Sequence, residues 1–450
     1  MVGFQAMNDE HPTNSHYDIF IKDCRILQPA DNGYVLAPGS IGIRDGRLVR
    51  VSAAAPEPEI KAQRTIAGQG FVAMPGLVNC HVHGAMTLFR GLADDLPLMT
   101  WLEEHIFPAE GRFVTEEMVY WCTKLAAAEM LLSGTTTVAD AYFFMDAAGR
   151  AYQESGMRAV LGHGIVDFPA PSVPDPAKNI EAVADFIDHF PASSRLQPAV
   201  FAHSPYTCSA DTLVRARQLA RDKQTPFFIH LAETQAEQGM IGAGDLSPVA
   251  YLDSLDILDS GVIVIHGVWL SGADMDILAS RGCRLVTCPE SNMKLASGVA
   301  PVPALLSRHI TMGLGTDGCA SNNDLDLFGE MDSCAKLAKV HNLQPELLPA
   351  RDLLAMATSM GASCLGLSDI GSLEEGMKAD LILINCQSPR LTPLFSPDLL
   401  VYGARGADVD TVIVDGELIV DKGELLSMDI QEIMIKVREM AEQVAGADHG

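Results

Sequence analysis

Between residues 74 and 367 the chain repeats one pattern, a short apolar run followed by a longer stretch with apolar residues on one helical face. The apolar runs cover 72–79, 135–141, 159–165, 197–203, 226–231, 262–267, 284–288 and 311–315. Runs this short and this uniformly apolar read as strands buried on both faces. The intervening segments predict helices over 116–133, 179–190, 210–222, 272–281 and 325–339. Eight such alternations call for parallel strands joined by right-handed crossovers. Eight is also the number that closes a (β/α)₈ TIM-type barrel. An open, doubly wound sheet has the same alternation, and counting alone leaves it open.

The two ends follow another pattern. Short alternating runs at 18–22, 40–44, 48–52 and 65–67 predict strands, with Asp45-Gly46 as a hairpin turn. The same pattern returns at 380–384, 411–414 and 418–420, again around an Asp-Gly pair, Asp415-Gly416. Two β-rich pieces flanking a β/α middle predict a small β-sandwich built from both termini. The expected division is 17–73 and 371–425 for the two halves of the sandwich, 74–370 for the barrel, and 426–450 for a C-terminal helix and tail. The first 16 residues are polar and are expected to fray.

Composition narrows the class. Fifty-eight acidic residues against 31 basic ones give a formal charge of −27. Such a surface repels nucleic acid and anionic lipid. No apolar run is long enough to span a bilayer. The ten cysteines lack any Cys-x-x-Cys pair, which in a chain of 450 residues reads as reduced thiols and a cytoplasmic setting.

The ends of the predicted strands carry the chemistry. The first ends in Cys80-His81-Val82-His83, the fourth in His203, the fifth in His230-Leu231-Ala232-Glu233, the sixth in His266 and the eighth in Gly315-Thr316-Asp317-Gly318. In a barrel these ends form one face, where active sites sit. His81 and His83 are two apart, so on a strand both point to the same side. His230 and Asp317 could complete a site with three nitrogens and one oxygen, suited to Zn²⁺ and secondarily to Fe²⁺. A lone histidine closing a strand is ordinarily just a satisfied polar residue, but so many convergent groups would be costly to bury without a function. His11, His16, His105, His189, His309, His341 and His449 fall in tails, helices or loops and are expected at the surface or in caps. His163 stays open between core and site.

Other signatures fail. Residues 313–318 match Gly-x-Gly-x-x-Gly but close a strand instead of opening a dinucleotide-binding unit. There is no His-Glu-x-x-His, no Pro-Cys-x-x-Cys and no Gly-x-Ser-x-Gly.

The run Pro75-Gly76-Leu77-Val78-Asn79-Cys80-His81-Val82-His83, with the later landmarks at 230–233, 266–267, 315–318 and 371–380, resembles the amidohydrolase superfamily over nearly the whole chain. Segments 86–91, 101–102, 108–110 and 203–206 are most similar to its 5-methylthioadenosine/S-adenosylhomocysteine deaminases. The resemblance implies hydrolytic deamination of the adenine ring of a nucleoside by a metal-bound hydroxide. It implies a single metal ion held by His81, His83, His230 and Asp317, with Glu233, His266 and Asp317 moving protons. It also implies substrate contacts from Glu110 to the ribose, from His203 and Trp101 to the nucleoside and from Ser321 to the adenine, and a homo-oligomer. By residue type alone Glu110 would be an ordinary exposed acid. The chain departs from the pattern after the third strand, where residues 161–171 lack the arginines that would hold the amino-acid tail of S-adenosylhomocysteine. A small or apolar 5′ group is therefore expected. Triazine or guanine hydrolysis at the same site is the nearest rival, a metal-free assembly protein and a dinucleotide-binding oxidoreductase more distant ones.

Overall fold

The alternating middle of the chain closes into a barrel of eight parallel strands. In this computed structural model, which describes residues 16–53, 60–191 and 193–447, the barrel strands in order are Leu77–Val82, Thr135–Tyr142, Arg158–Ile165, Leu196–Ala202, Phe227–Leu231, Val262–His266, Arg284–Thr287 and Met312–Leu314. Leu314 of the eighth pairs with Asn79 of the first, so no edge is left open. The open-sheet alternative is thereby excluded. The predicted helices form at Glu116–Leu132, Asn179–His189, Ala210–Asp222, Gly272–Arg281 and Leu327–Asn342. Among the described residues no helix is long and apolar enough to cross a membrane.

Strands from both ends of the chain form one nine-stranded sheet. Its middle is the antiparallel pairing of Phe71–Pro75 with Leu381–Asn385, which joins the N-terminal strands to the C-terminal ones. The sheet encloses its own core of Ile19, Ile21, Ile26, Ile41, Ile43, Leu381, Leu383 and Ile413. Asp45 and Asp415 both adopt positive φ in the expected hairpins. The expected frayed tail lies largely outside the described residues; His16 already begins the first strand.

Two expectations need correcting. The apolar run 72–79 is not one strand. Phe71–Pro75 belongs to the terminal sheet and Leu77–Val82 to the barrel. The chain turns at Gly76, where a Cβ would collide with Thr136. The first terminal strands are also far longer than predicted, His16–Ala30 and Gly33–Arg44. Pro29 and Pro38 interrupt their pattern, and both sit at positions of the ladder that tolerate a missing N–H.

A buried ion pair ties the sheet to the barrel. Arg158, at the start of the third barrel strand, meets Asp380 through Nε–Oδ2 at 2.9 Å and Nη2–Oδ1 at 3.1 Å, with both side chains almost fully buried. Asp380 also accepts the Asp415 N–H at 2.6 Å, and its carbonyl accepts the Gly76 N–H at 3.0 Å. Removing one partner leaves an uncompensated buried charge, at a cost of about 3–5 kcal/mol. Arg158→Leu is accordingly expected to lower the urea midpoint far more than Arg150→Ala, whose exposed pair with Glu116 contributes at most about 1 kcal/mol. Equal midpoints for the two variants would contradict this role of the pair.

Candidate active site and metal centre

The polar groups that close the barrel strands meet at one end of the barrel. The ligating nitrogens of His81, His83 and His230 lie within 4.8 Å of one another. His81 Nε2 is 3.2 Å from His230 Nε2 and 3.6 Å from Asp317 Oδ1, and His83 Nε2 is 3.4 Å from the same oxygen. Four donors placed at about 2.0–2.1 Å around a tetrahedral ion are separated by roughly 3.3–3.4 Å, which is the spacing found.

The hydrogen bonds fix which nitrogens are free. His83 Nδ1 faces the Ala141 carbonyl, so it carries the proton and Nε2 offers a lone pair. That lone pair points at a carboxylate oxygen, an arrangement that repels unless a cation lies between. Burial lowers the pKa of His81 to about 4 and that of His230 well below the usual range, keeping both imidazoles in the neutral form that binds metal. Burial alone would raise Asp317, but the nearby side chains of His81, His83 and His266 hold its carboxyl well below the ordinary carboxylate range. The residues present therefore fit a divalent cation.

The backbone brings these groups together by unusual local conformations. Ala232, His266 and Asp317 have φ of 54°, 73° and 60°, left-handed values that are rare for non-glycine residues and concentrate at functional sites. Gly315 lets the eighth strand lie against the first, since a Cβ there would sit 2.8 Å from His81 Cβ. The Gly-x-Gly-x-x-Gly match thus serves close packing around His81.

Ser291, Asn292 and Glu237, which the sequence did not mark, join Ser321 in holding these side chains in place. Ser291 and Ser321 bond Asp317 Oδ2 at 2.7 and 3.1 Å, leaving Oδ1 toward the histidines. Asn292 Oδ1 is 3.1 Å from His266 Nδ1, and His266 Nε2 lies 3.7 Å from Glu233 Oε2. The Glu233 N–H donates to Glu237 Oε2 at 3.0 Å. Ser291 and Asn292 sit just past the seventh strand, in the helix Pro289–Lys294. The one signal that pointed there was a strand end followed by a proline able to open a helix.

The remaining predicted residues line an open cleft above this cluster. Trp101 lies on a π-helical turn, Trp101–Ile106, whose Phe107 N–H reaches back to Leu102. His203 Nδ1 bonds Thr207 Oγ1 at 3.0 Å, and its ring centroid is 5.0 Å from that of His230. Ser321 opens onto the cleft while bonded to Asp317. Glu110, expected by residue type to be exposed, is only 7% exposed, and it accepts a hydrogen bond from Tyr142 at 2.6 Å. Burial pushes its carboxyl up to about 7. His163 stands apart, packed against Phe186 and bonded to the Gly164 carbonyl, as a core histidine. His105, His309 and His341 are exposed, as is His16; His11 and His449 lie outside the described residues.

A model of the amidohydrolase family matches residues 72–419. A 5-methylthioadenosine/S-adenosylhomocysteine deaminase of Syntrophobacter fumaroxidans is 43% identical over 96% of this chain and 99% of its own length. A 5′-deoxyadenosine deaminase of Methanosarcina mazei is 40% identical over 95% and 98%. A crystal structure of an adenosine deaminase from Xanthomonas campestris with bound zinc has a TM-score of 0.91 at 35% identity, covering 96% of this chain and 99% of that one.

The geometry makes the cation part of the folded state. Chelation is expected to lower the melting temperature and divalent metal to restore it, by ~2.7 kcal/mol at a hundredfold excess over Kd. His83→Ala should retain less than about a tenth of the metal by elemental analysis, since it loses a ligand fixed by its own carbonyl partner. Full metal content in that variant would remove His83 from the ligand set.

Proposed function

The chain belongs to the amidohydrolase family, and from that premise we propose that it hydrolytically deaminates the adenine ring of a nucleoside, releasing ammonia and the inosine-type product. One observation carries the reading: a single cleft has the histidine–aspartate cluster with Glu233 on its floor and a buried carboxylate, Glu110, on its wall. A ring undergoing hydrolysis needs the first, and a ribose diol needs the second. A bare triazine or guanine would leave the Glu110 oxygen not bonded to Tyr142 buried without a partner, which weighs against those substrates.

The cofactor is a metal ion. We take it to be one zinc ion per chain, held by His81, His83, His230 and Asp317, because three imidazoles and a carboxylate at this spacing suit it, with ferrous iron as the second choice. Such an ion, when bound, would supply an activated water by lowering its pKa from ~15.7 toward ~7. Asp317 accepts the proton of the attacking water, its carboxylate held in place by Ser291 and Ser321. His266, with Nδ1 against Asn292, directs Nε2 into the cleft and keeps the attacking oxygen in line. Glu233 protonates N1 of the ring so that C6 accepts attack. Burial raises its carboxyl above the usual range, the direction that favours a proton donor. Asp317 then passes its proton to the departing amino group, the C6–N bond breaks to release ammonia, and the C6 hydroxyl proton returns to Glu233 as the carbonyl forms. Trp101, His203 and Ser321 complete the nucleoside contacts.

The wall beyond Glu110 is apolar, with Leu98, Phe107, Phe168, Pro169, Ala170 and Pro171. No lysine or arginine lines the cleft among the described residues. A substrate with a hydrogen, hydroxyl or methylthio group at C5′ fits this wall, whereas the charged tail of S-adenosylhomocysteine would be desolvated without a bidentate partner. The ten cysteines, all buried and unpaired, agree with a reducing cytoplasm.

Glu233→Gln is expected to keep its metal and lose ~10²-fold or more in kcat. Near-normal turnover by the metal-replete variant, followed by the ultraviolet change from adenine to hypoxanthine, would refute the role of Glu233. 5′-Methylthioadenosine should be turned over with kcat/KM at least ~10-fold above that of S-adenosylhomocysteine. The reverse order would sink the assignment of the 5′ pocket.

A further inference from the structure

Tyr142 closes the second barrel strand, and nothing in the sequence pattern marks it as part of a site. Its hydroxyl donates to Glu110 Oε1 at 2.6 Å. Among the described residues no other group bonds the Glu110 side chain. Glu110 stands on the helix Phe107–Phe113, in a segment outside the barrel framework, so this bond is what anchors the carboxylate to the barrel. The preceding residue, Ala141, gives its carbonyl to His83 Nδ1. The Tyr142 ring also lies 6.2 Å from the His83 ring. Two consecutive residues of one strand thus hold a metal ligand and the carboxylate on the cleft wall.

Resting on the nucleoside reading above, we propose that Tyr142 is a positioning residue for ribose recognition: it occupies one oxygen of Glu110, turns the other toward the sugar diol, and sets the distance between ribose and metal centre. The cleft favours this over a packing role. Tyr142 and Glu110 are both buried, and a phenylalanine would fill the same space while leaving a carboxyl group free to rotate. Burial pushes Glu110 toward the neutral form, and the Tyr142 bond opposes that push. Losing the bond therefore weakens the acceptor as well as loosening it.

The test compares adenosine with 2′,3′-dideoxyadenosine in the metal-replete wild type, Tyr142→Phe, Glu110→Gln and the double variant, with melting temperature and metal content measured for each. The wild type should favour adenosine by on the order of 100-fold in kcat/KM. Tyr142→Phe should raise KM for adenosine ~10-fold, leave its kcat within about threefold, and leave the dideoxynucleoside unaffected. The double variant should be no worse than Glu110→Gln alone, since the two side chains act as a unit. Equal losses on both nucleosides, or losses that multiply in the double variant, overturn the proposal. If the wild type turns over both nucleosides equally, Glu110 does not read the ribose and this proposal fails with that contact, while deamination of the adenine ring stands. If it turns over neither, the deaminase reading itself fails, and this inference with it.

Discussion

Three imidazoles and a carboxylate aimed at one point are stable only around a positive charge. His83 shows this most directly, because its Nδ1 is committed to the Ala141 carbonyl and its free lone pair faces Asp317 Oδ1 at 3.4 Å. The surrounding architecture keeps that arrangement from relaxing. Gly315 lets the eighth strand press against His81, Ser291 and Ser321 stop the Asp317 carboxylate from turning, and the left-handed backbone at His266 and Asp317 aims side chains that a regular strand would send elsewhere.

The barrel and much of its floor were legible in the sequence because both obey short periodicities. Strands buried on both faces give uniform apolar runs, and a histidine or aspartate ending such a run must lie at the mouth of the barrel. His81, His83, His230, His266 and Asp317 all come from that rule. The parts that were not legible lack a period. The run 72–79 reads as one strand because both of its halves are buried, although they belong to different sheets. Ser291, Asn292 and Tyr142 are ordinary residues whose importance comes only from what the fold sets opposite them. Glu110 shows the same limit from the other side, since an acid on a helix looks solvent-exposed until the chain folds a cleft over it.

Relatives that share this architecture differ in substrate at similar backbone geometry. An atrazine chlorohydrolase from Arthrobacter aurescens has a TM-score of 0.86 at only 23% identity, which speaks for the fold alone. Above the barrel floor stands the wall of the cleft. Here that wall comes from the helical segments around Trp101 and Phe107 and from the loop after the third strand, elements that lie outside the barrel framework. Barrel strands hold the polar cluster, and segments outside that framework shape what can approach it.

The seam between the two chain ends has a consequence for biogenesis. Phe71–Pro75 finds one of its two neighbours only in Leu381–Asn385, some three hundred residues later. On the ribosome that apolar edge stays unpaired while the whole barrel is being made, a period of tens of seconds at ~5–20 residues per second. Nascent chains are thus exposed to edge-to-edge association until the last strands emerge, and a chain cut short before residue 381 would keep that sticky edge permanently.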